Sequence, residues 1–104
     1  SDAAEPLFLA VRDLPGAETW SANPLRYGYV IAYVDDVVFG FVAGMRGLCL
    51  RLPADAMRDA IGEGAEAFDE AGDDWVFIAL FDPDRRVPRV RHWIETAYAH
   101  ALRH

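Results

Sequence analysis

Two β-rich runs, "RYGYVIAYV" at 26–34 and "VVFGFVA" at 37–43, are separated only by Asp35 and Asp36. No other feature restricts the fold of this chain as much. Val, Ile, Tyr and Phe favour strands. Two residues is the length of the tightest hairpin loop, whose central positions need positive φ, and Asp tolerates that conformation. Two carboxylates in an apolar setting could instead be a catalytic or metal-binding pair. No His or third carboxylate lies nearby in sequence, so a hairpin corner is the expectation.

The flanking elements follow from periodicity and punctuation. In "PLFLAVRDL", Leu7, Val11 and Leu14 recur at helical spacing over 6–14, with Pro6 in the first turn and Gly16 as the stop. "PGAETWSANP" is expected to be a turn-rich connector. After the hairpin, "GMRG" makes a second corner into a third strand, Leu48 to Leu52. Pro53 then opens a helix with Ala56, Met57, Ala60 and Ile61 on one face, closed by Gly62 or Gly64. The acidic "AEAFDEAGDD" reads as a connector with a short strand near Phe68. "WVFIALF" at 75–81 is apolar throughout, the pattern of a strand covered on both faces. After the turn "DPDRR", a last helix begins near Pro88, with Val90, Ile94, Ala97, Tyr98, Ala101 and Leu102 as its buried stripe.

A strict period of two gives a register. If Val34 opposes Val37, then Ala32 opposes Phe39 and Val30 opposes Phe41. With Ala43 opposite Leu48, Phe41 meets Leu50 and Phe39 meets Leu52, and these residues form the core face. The other face then carries Tyr27, Tyr29, Ile31, Tyr33, Val38, Val42, Cys49 and Arg51. It is too apolar to face water alone, so a helix, a second subunit or a ligand is expected to cover it. The C-terminal helix, with Trp93 and Tyr98, is the first candidate and a homodimer the second. Tyr27, Tyr29, Tyr33 and Arg51 are the candidate ligand or interface residues.

Charge narrows the partners. The net charge is −7, and all ten basic residues are Arg. The segment 55–74 holds eight acids against Arg58, while 85–104 holds five Arg against Glu95. "RRVPRVR" places Arg85, Arg86, Arg89 and Arg91 within seven residues, a possible grip on nucleic acid. Salt bridging to the acidic segment is the favoured reading, because a net negative charge opposes binding to phosphate. There is no Walker motif, nucleophile elbow or paired-Cys site, and "GFVAG" lacks the third glycine of a dinucleotide fingerprint. His92, His100 and His104 all fall in the last helix, with no third metal ligand indicated. Cys49, the single cysteine, is expected to be a buried structural thiol in a reducing cytoplasm. No apolar run approaches a membrane span, and the opening "SDAAEPLFLAVRD" has no basic region, so neither a membrane segment nor a secretory leader is expected.

The strings "LPGAE", "YVDDVVFGFV", "LCLRLP" and "WIETAYAHAL", in this order over about residues 7–103, resemble the YjbR (MmcQ) family and the related N-terminal domain of TfoX, small bacterial domains. The Ala97–Tyr98 step matches one often found in their final helix. The resemblance implies an α+β fold with an antiparallel sheet packed by helices. Its members are commonly labelled DNA-binding-like or regulatory, and it brings no catalytic motif. The usual basic residues of the hairpin turn and third strand are here Asp35, Asp36 and mostly Leu. The sequence reading is therefore a single α+β domain: a three-strand meander plus a further strand, packed by N-terminal, middle and C-terminal helices. Its expected function is a non-catalytic binding or regulatory module, without cofactor or metal. The alternatives are a DNA-binding regulator using Arg85–Arg91 and a small-ligand or enzymatic domain using the aromatic face.

Overall fold

The computed structural model describes residues 3–21, 29–43 and 47–103, with only the backbone described at Tyr29 and Ala43. Elements follow in the order α1 (Glu5–Val11), β1 (Glu18–Ser21), β2 (Tyr29–Val34), β3 (Val37–Ala43), β4 (Gly47–Arg51), α2 (Ala54–Gly62), β5 (Glu66–Ala67), β6 (Trp75–Ala79) and α3 (Val90–Leu102). A short 3₁₀ turn spans Pro83–Arg85. The fold is α+β. The six strands make one open antiparallel sheet in the order β1-β2-β3-β4-β6-β5.

Asp35 and Asp36 form the corner between β2 and β3, at φ 52° and 63°. Positive φ at both central residues is the signature of the turn whose twist matches the flanking strands. The hairpin thus follows the two-residue spacing, but its register differs from strict alternation. Tyr33 pairs with Val38 while Ala32 pairs with Gly40, so Phe39 is an extra residue in β3. This β-bulge reverses the parity of the strand beyond it. Phe39 is fully buried and Val42 is buried in the core, while Phe41 is half-buried on the opposite face. The expected places of Phe41 and Val42 are therefore exchanged. The β3–β4 register shifts with them, as Gly40 faces Leu50 and Phe41 faces Cys49. Gly40 lets the core close tightly at the bulge: a Cβ there would meet the Leu50 Cδ2 at 3.0 Å and the Leu7 Cδ1 at 3.5 Å.

One hydrophobic core lies on one side of the sheet. Val30, Ala32, Val34, Phe39, Val42, Leu48, Leu50, Val76 and Ile78 point into it and meet Leu7 and Ala10 of α1, Ala56 and Ala60 of α2, and Trp93, Ile94, Ala97 and Ala101 of α3. All three helices pack on this side. α3 lies against β2, β3 and β4, and its Tyr98 ring meets Phe39 edge-on at 5.8 Å. The Tyr98 hydroxyl donates to the Pro15 carbonyl, tying α3 to the Leu-Pro-Gly turn after α1. The expectation that α3 covers the second face is thus overturned, because Trp93 and Tyr98 serve the core side.

Other corrections have local causes. The connector before β2 contains β1, whose Glu18–Ser21 pair with Ser21↔Val30 through Glu18↔Tyr33. β6 alternates between half-buried and buried residues, so its uniformly apolar sequence is covered on one face only. Ile61 and Leu102 are exposed, and Trp93 takes the place in the α3 stripe. Residues 26–28 of the expected first strand of the meander, and 44–46 of the second corner, lie outside the described residues.

Glycine geometry supplies a test of this packing. A Cβ on Gly47 would sit 2.0 Å from the Ile78 carbonyl oxygen and 2.8 Å from Phe77 Cζ, whereas nothing lies within 4 Å at Gly62. Gly47→Ala should cost about 1–3 kcal/mol through forced backbone shifts. Gly62→Ala, at the end of α2, should be neutral or stabilising by up to about 1 kcal/mol. Urea unfolding of the two variants checks both signs.

Candidate functional site

The face opposite the helices remains strongly apolar. Ile31 on β2, Phe41 on β3, Cys49 on β4 and Phe77 on β6 lie side by side through their strand pairings. Trp20 on β1 pairs with Ile31 and is half exposed. Arg51 pairs with Trp75, and the Phe68 amide extends the ladder to the Trp75 carbonyl at 2.9 Å. The rings form a connected cluster: Phe41 lies 5.1 Å from Trp75 and 6.2 Å from Phe68, and Phe68 lies 6.3 Å from Phe77, centroid to centroid. Aromatic pairs of this kind contribute about 0.5–1.5 kcal/mol each beyond their area. They shield Cys49 completely from solvent. Burial, with the Glu70 carboxylate adding to it, pushes the Cys49 thiol up to about 12. A thiol so far from ionisation is no nucleophile at neutral pH.

The sequence candidates divide across this face. Tyr27 and the Tyr29 side chain lie outside the described residues. Tyr33 donates its hydroxyl to Glu18 at 3.0 Å, across the β1–β2 pair. That hydrogen bond to a carboxylate raises the Tyr33 pKa, with slight desolvation and the charge of Glu18 adding to it. Tyr33 also borders an open depression with Phe8, Arg12, Leu14 and Glu18, which Arg51 does not line. Arg51 sits two strands away, its Nε 2.6 Å from the Asp74 carboxylate. The structure therefore places Tyr33 and Arg51 on one face without joining them into one pocket. Phe41 is the member that strict alternation misplaced, and Phe68, Trp75 and Phe77 are members to which the sequence reading gave no face. An isolated glycine inside a strand, Gly40, is the signal of a bulge that could have found Phe41.

The basic segment is largely occupied. Arg85 pairs with Glu66 at 2.7 Å, and Arg91 pairs with Asp13 at 2.9 Å and Glu95 at 3.3 Å. Arg89 grips Glu63, through Nε at 3.0 Å and through Nη2. Its guanidinium also lies 5.0 Å from the centre of the Trp93 ring. The Trp93 indole N–H donates to the other Glu63 oxygen at 3.1 Å. Glu63 thus clamps the end of α2 to the start of α3. Arg85 and Arg89 engage the acidic 55–74 segment, as salt bridging requires, and Arg86 makes no ion pair among the described residues. Exposed guanidiniums held by carboxylates are less available to a phosphate backbone.

Asp35 and Asp36 sit exposed at the hairpin tip. Among the described residues, no three His, Cys, Asp or Glu side chains gather to hold a metal, and no helix is long and apolar enough to cross a membrane. No protein-family model, no curated protein and no solved structure matches this chain.

Two measurements test this chemistry. The Arg89 hydrogen bond, joined by the Trp93 N–H and the nearby cations, holds the Glu63 carboxyl below its ordinary 4.5 despite some desolvation. A lowered folded-state value means that the clamp stabilises fully above about pH 4.5 and is lost as pH falls through the lower folded value. Glu63→Gln should therefore lower the melting temperature at neutral pH and flatten its decline on the acid side. For Cys49, a disulfide reagent at pH 8 should react slowly with the native protein and promptly after denaturation. Equal rates would contradict the buried thiol.

Proposed function

We propose that this chain is a non-catalytic binding module of YjbR/TfoX-N type, working in a reducing cytoplasm, and that the open face of its sheet is a surface for self-association. One observation carries the reading: three helices share one side of a six-stranded sheet, while the other side bears Ile31, Phe41, Phe68, Trp75 and Phe77 with no helix among the described residues. These residues are half-buried in the single chain, with the half-exposed Trp20 beside them; an apolar surface of this kind suits an interaction site, and aromatic rings are enriched in interface cores. A second copy suits it best. Two-fold pairing needs only one self-complementary patch, and this patch carries both charge signs, with Arg51 and Asp74 beside Trp75 and Glu18 beside Tyr33. Both edge strands are short, four residues in β1 and two in β5, which favours stacking of faces over pairing of edges.

Light scattering at micromolar concentration tests this directly, with an expected mass of about twice the 11.6 kDa chain. Trp20→Glu and Tyr33→Asp should each weaken the association by at least about tenfold, because a charge would be buried against the partner's rings. A mass of one chain contradicts the proposal. A dimer that survives both substitutions moves the interface off this face.

A further inference from the structure

We propose that the open face ends, at its β5 margin, in a binding site for a quaternary ammonium group. A pocket of about 300 Å³ opens there, lined by Glu66, Ala67, Phe68, Glu70 and Phe77. That volume is at the small end of ligand sites, the size of a head group. Phe68 and Phe77 supply two ring walls inclined by 35°, and Phe41 continues the aromatic surface beside Phe68.

Ring faces alone would accept any apolar group, but the carboxylates select a cation. A quaternary ammonium has no N–H to satisfy and is held by ring quadrupoles and nearby negative charge. Glu70 makes no ion pair or hydrogen bond among the described residues, so its charge is uncommitted. Its exposed side chain lines the pocket beside Phe68 and Phe77. Glu66 already holds a cation of this chain, the Arg85 guanidinium at 2.7 Å, on the same wall. Of the eight acids in 55–74, Glu63, Glu66 and Asp74 are paired with Arg89, Arg85 and Arg51, and the other five, Glu70 among them, still outnumber Arg58, so the remaining field draws cations to the mouth. The site rests on this face being open in the single chain, and it does not require a second copy.

The group could come from a free small molecule or from a methylated lysine side chain, and the test separates them. Dilute protein, with its mass followed in parallel, is titrated with choline chloride, with a short trimethyllysine peptide and with neohexanol, the uncharged isostere of choline. Sodium chloride matches the ionic strength. The expected result is saturable shifts of the amides of residues 66–70 and 77 with choline, with the peptide or with both. Neohexanol should bind at least about tenfold more weakly, and Phe68→Leu and Glu70→Gln should each weaken the cation by about five- to tenfold. Glu70 is exposed, so its variant keeps the fold. Shifts with the peptide alone assign the site to a protein-borne cation, and shifts with choline alone to a free one. Failure of both cations to saturate, equal binding of neohexanol, or an unaffected Glu70→Gln overturns the proposal. A monomer that binds choline contradicts only self-association, and a dimer that binds neither cation contradicts only this site.

Discussion

A single extra residue, Phe39, governs how the side chains of this sheet are distributed. Strands bury alternate residues, so one insertion reverses the sense of everything beyond it. Phe39 and Gly40 together face the core, where Gly40 leaves the space that Leu7 and Leu50 fill. Beyond them Phe41 emerges on the far side, where it meets Trp75 and Phe68. Without the bulge Phe41 would compete for volume inside the core, and the aromatic cluster over Cys49 would lose its central ring.

From that parity follows a two-layer architecture with an unequal surface. The helices satisfy the core side, and their own ties hold them there. Glu63 joins α2 to α3 through Arg89 and Trp93, and Tyr98 joins α3 to the turn after α1. The acidic segment and the Arg-rich segment therefore meet within the chain at Glu63 and Glu66. On the face that the helices leave free, half-buried rings and the unpaired Glu70 lie together.

The legible parts of the sequence were those fixed by local chemistry. The Asp35–Asp36 corner followed from loop length and tolerance of positive φ. The breaks at Pro53 and at Gly62 or Gly64, and the period of α2, placed the middle helix closely, and the apolar run at 75–81 located β6. The illegible parts depended on pairing across the fold. β1 is four residues of mixed polarity that become a strand only because β2 offers an edge. Uniformly apolar β6 gave no sign of which side was covered, since an aromatic face without helices looks like a second core in one dimension. The site shared this fate. Its acids were read as part of a connector, Phe68 with them, Phe77 was read in a strand covered on both faces, and Phe41 was assigned to the core by a register one residue out of step.

Everything functional in this account depends on the aromatic face being uncovered by its own chain. Broadening of aromatic proton signals by a soluble nitroxide measures this most directly, in dilute solution where the single chain prevails. Strong broadening is expected at the half-exposed Trp20, intermediate broadening at the half-buried Phe41, Phe68 and Phe77, and little at Phe39 and Trp93, which are buried. Raising the protein concentration should then protect the first two groups while leaving the last unchanged. If Phe41, Phe68 and Phe77 are as protected as Phe39 in the dilute single chain, some part of the chain covers the face and the account is wrong.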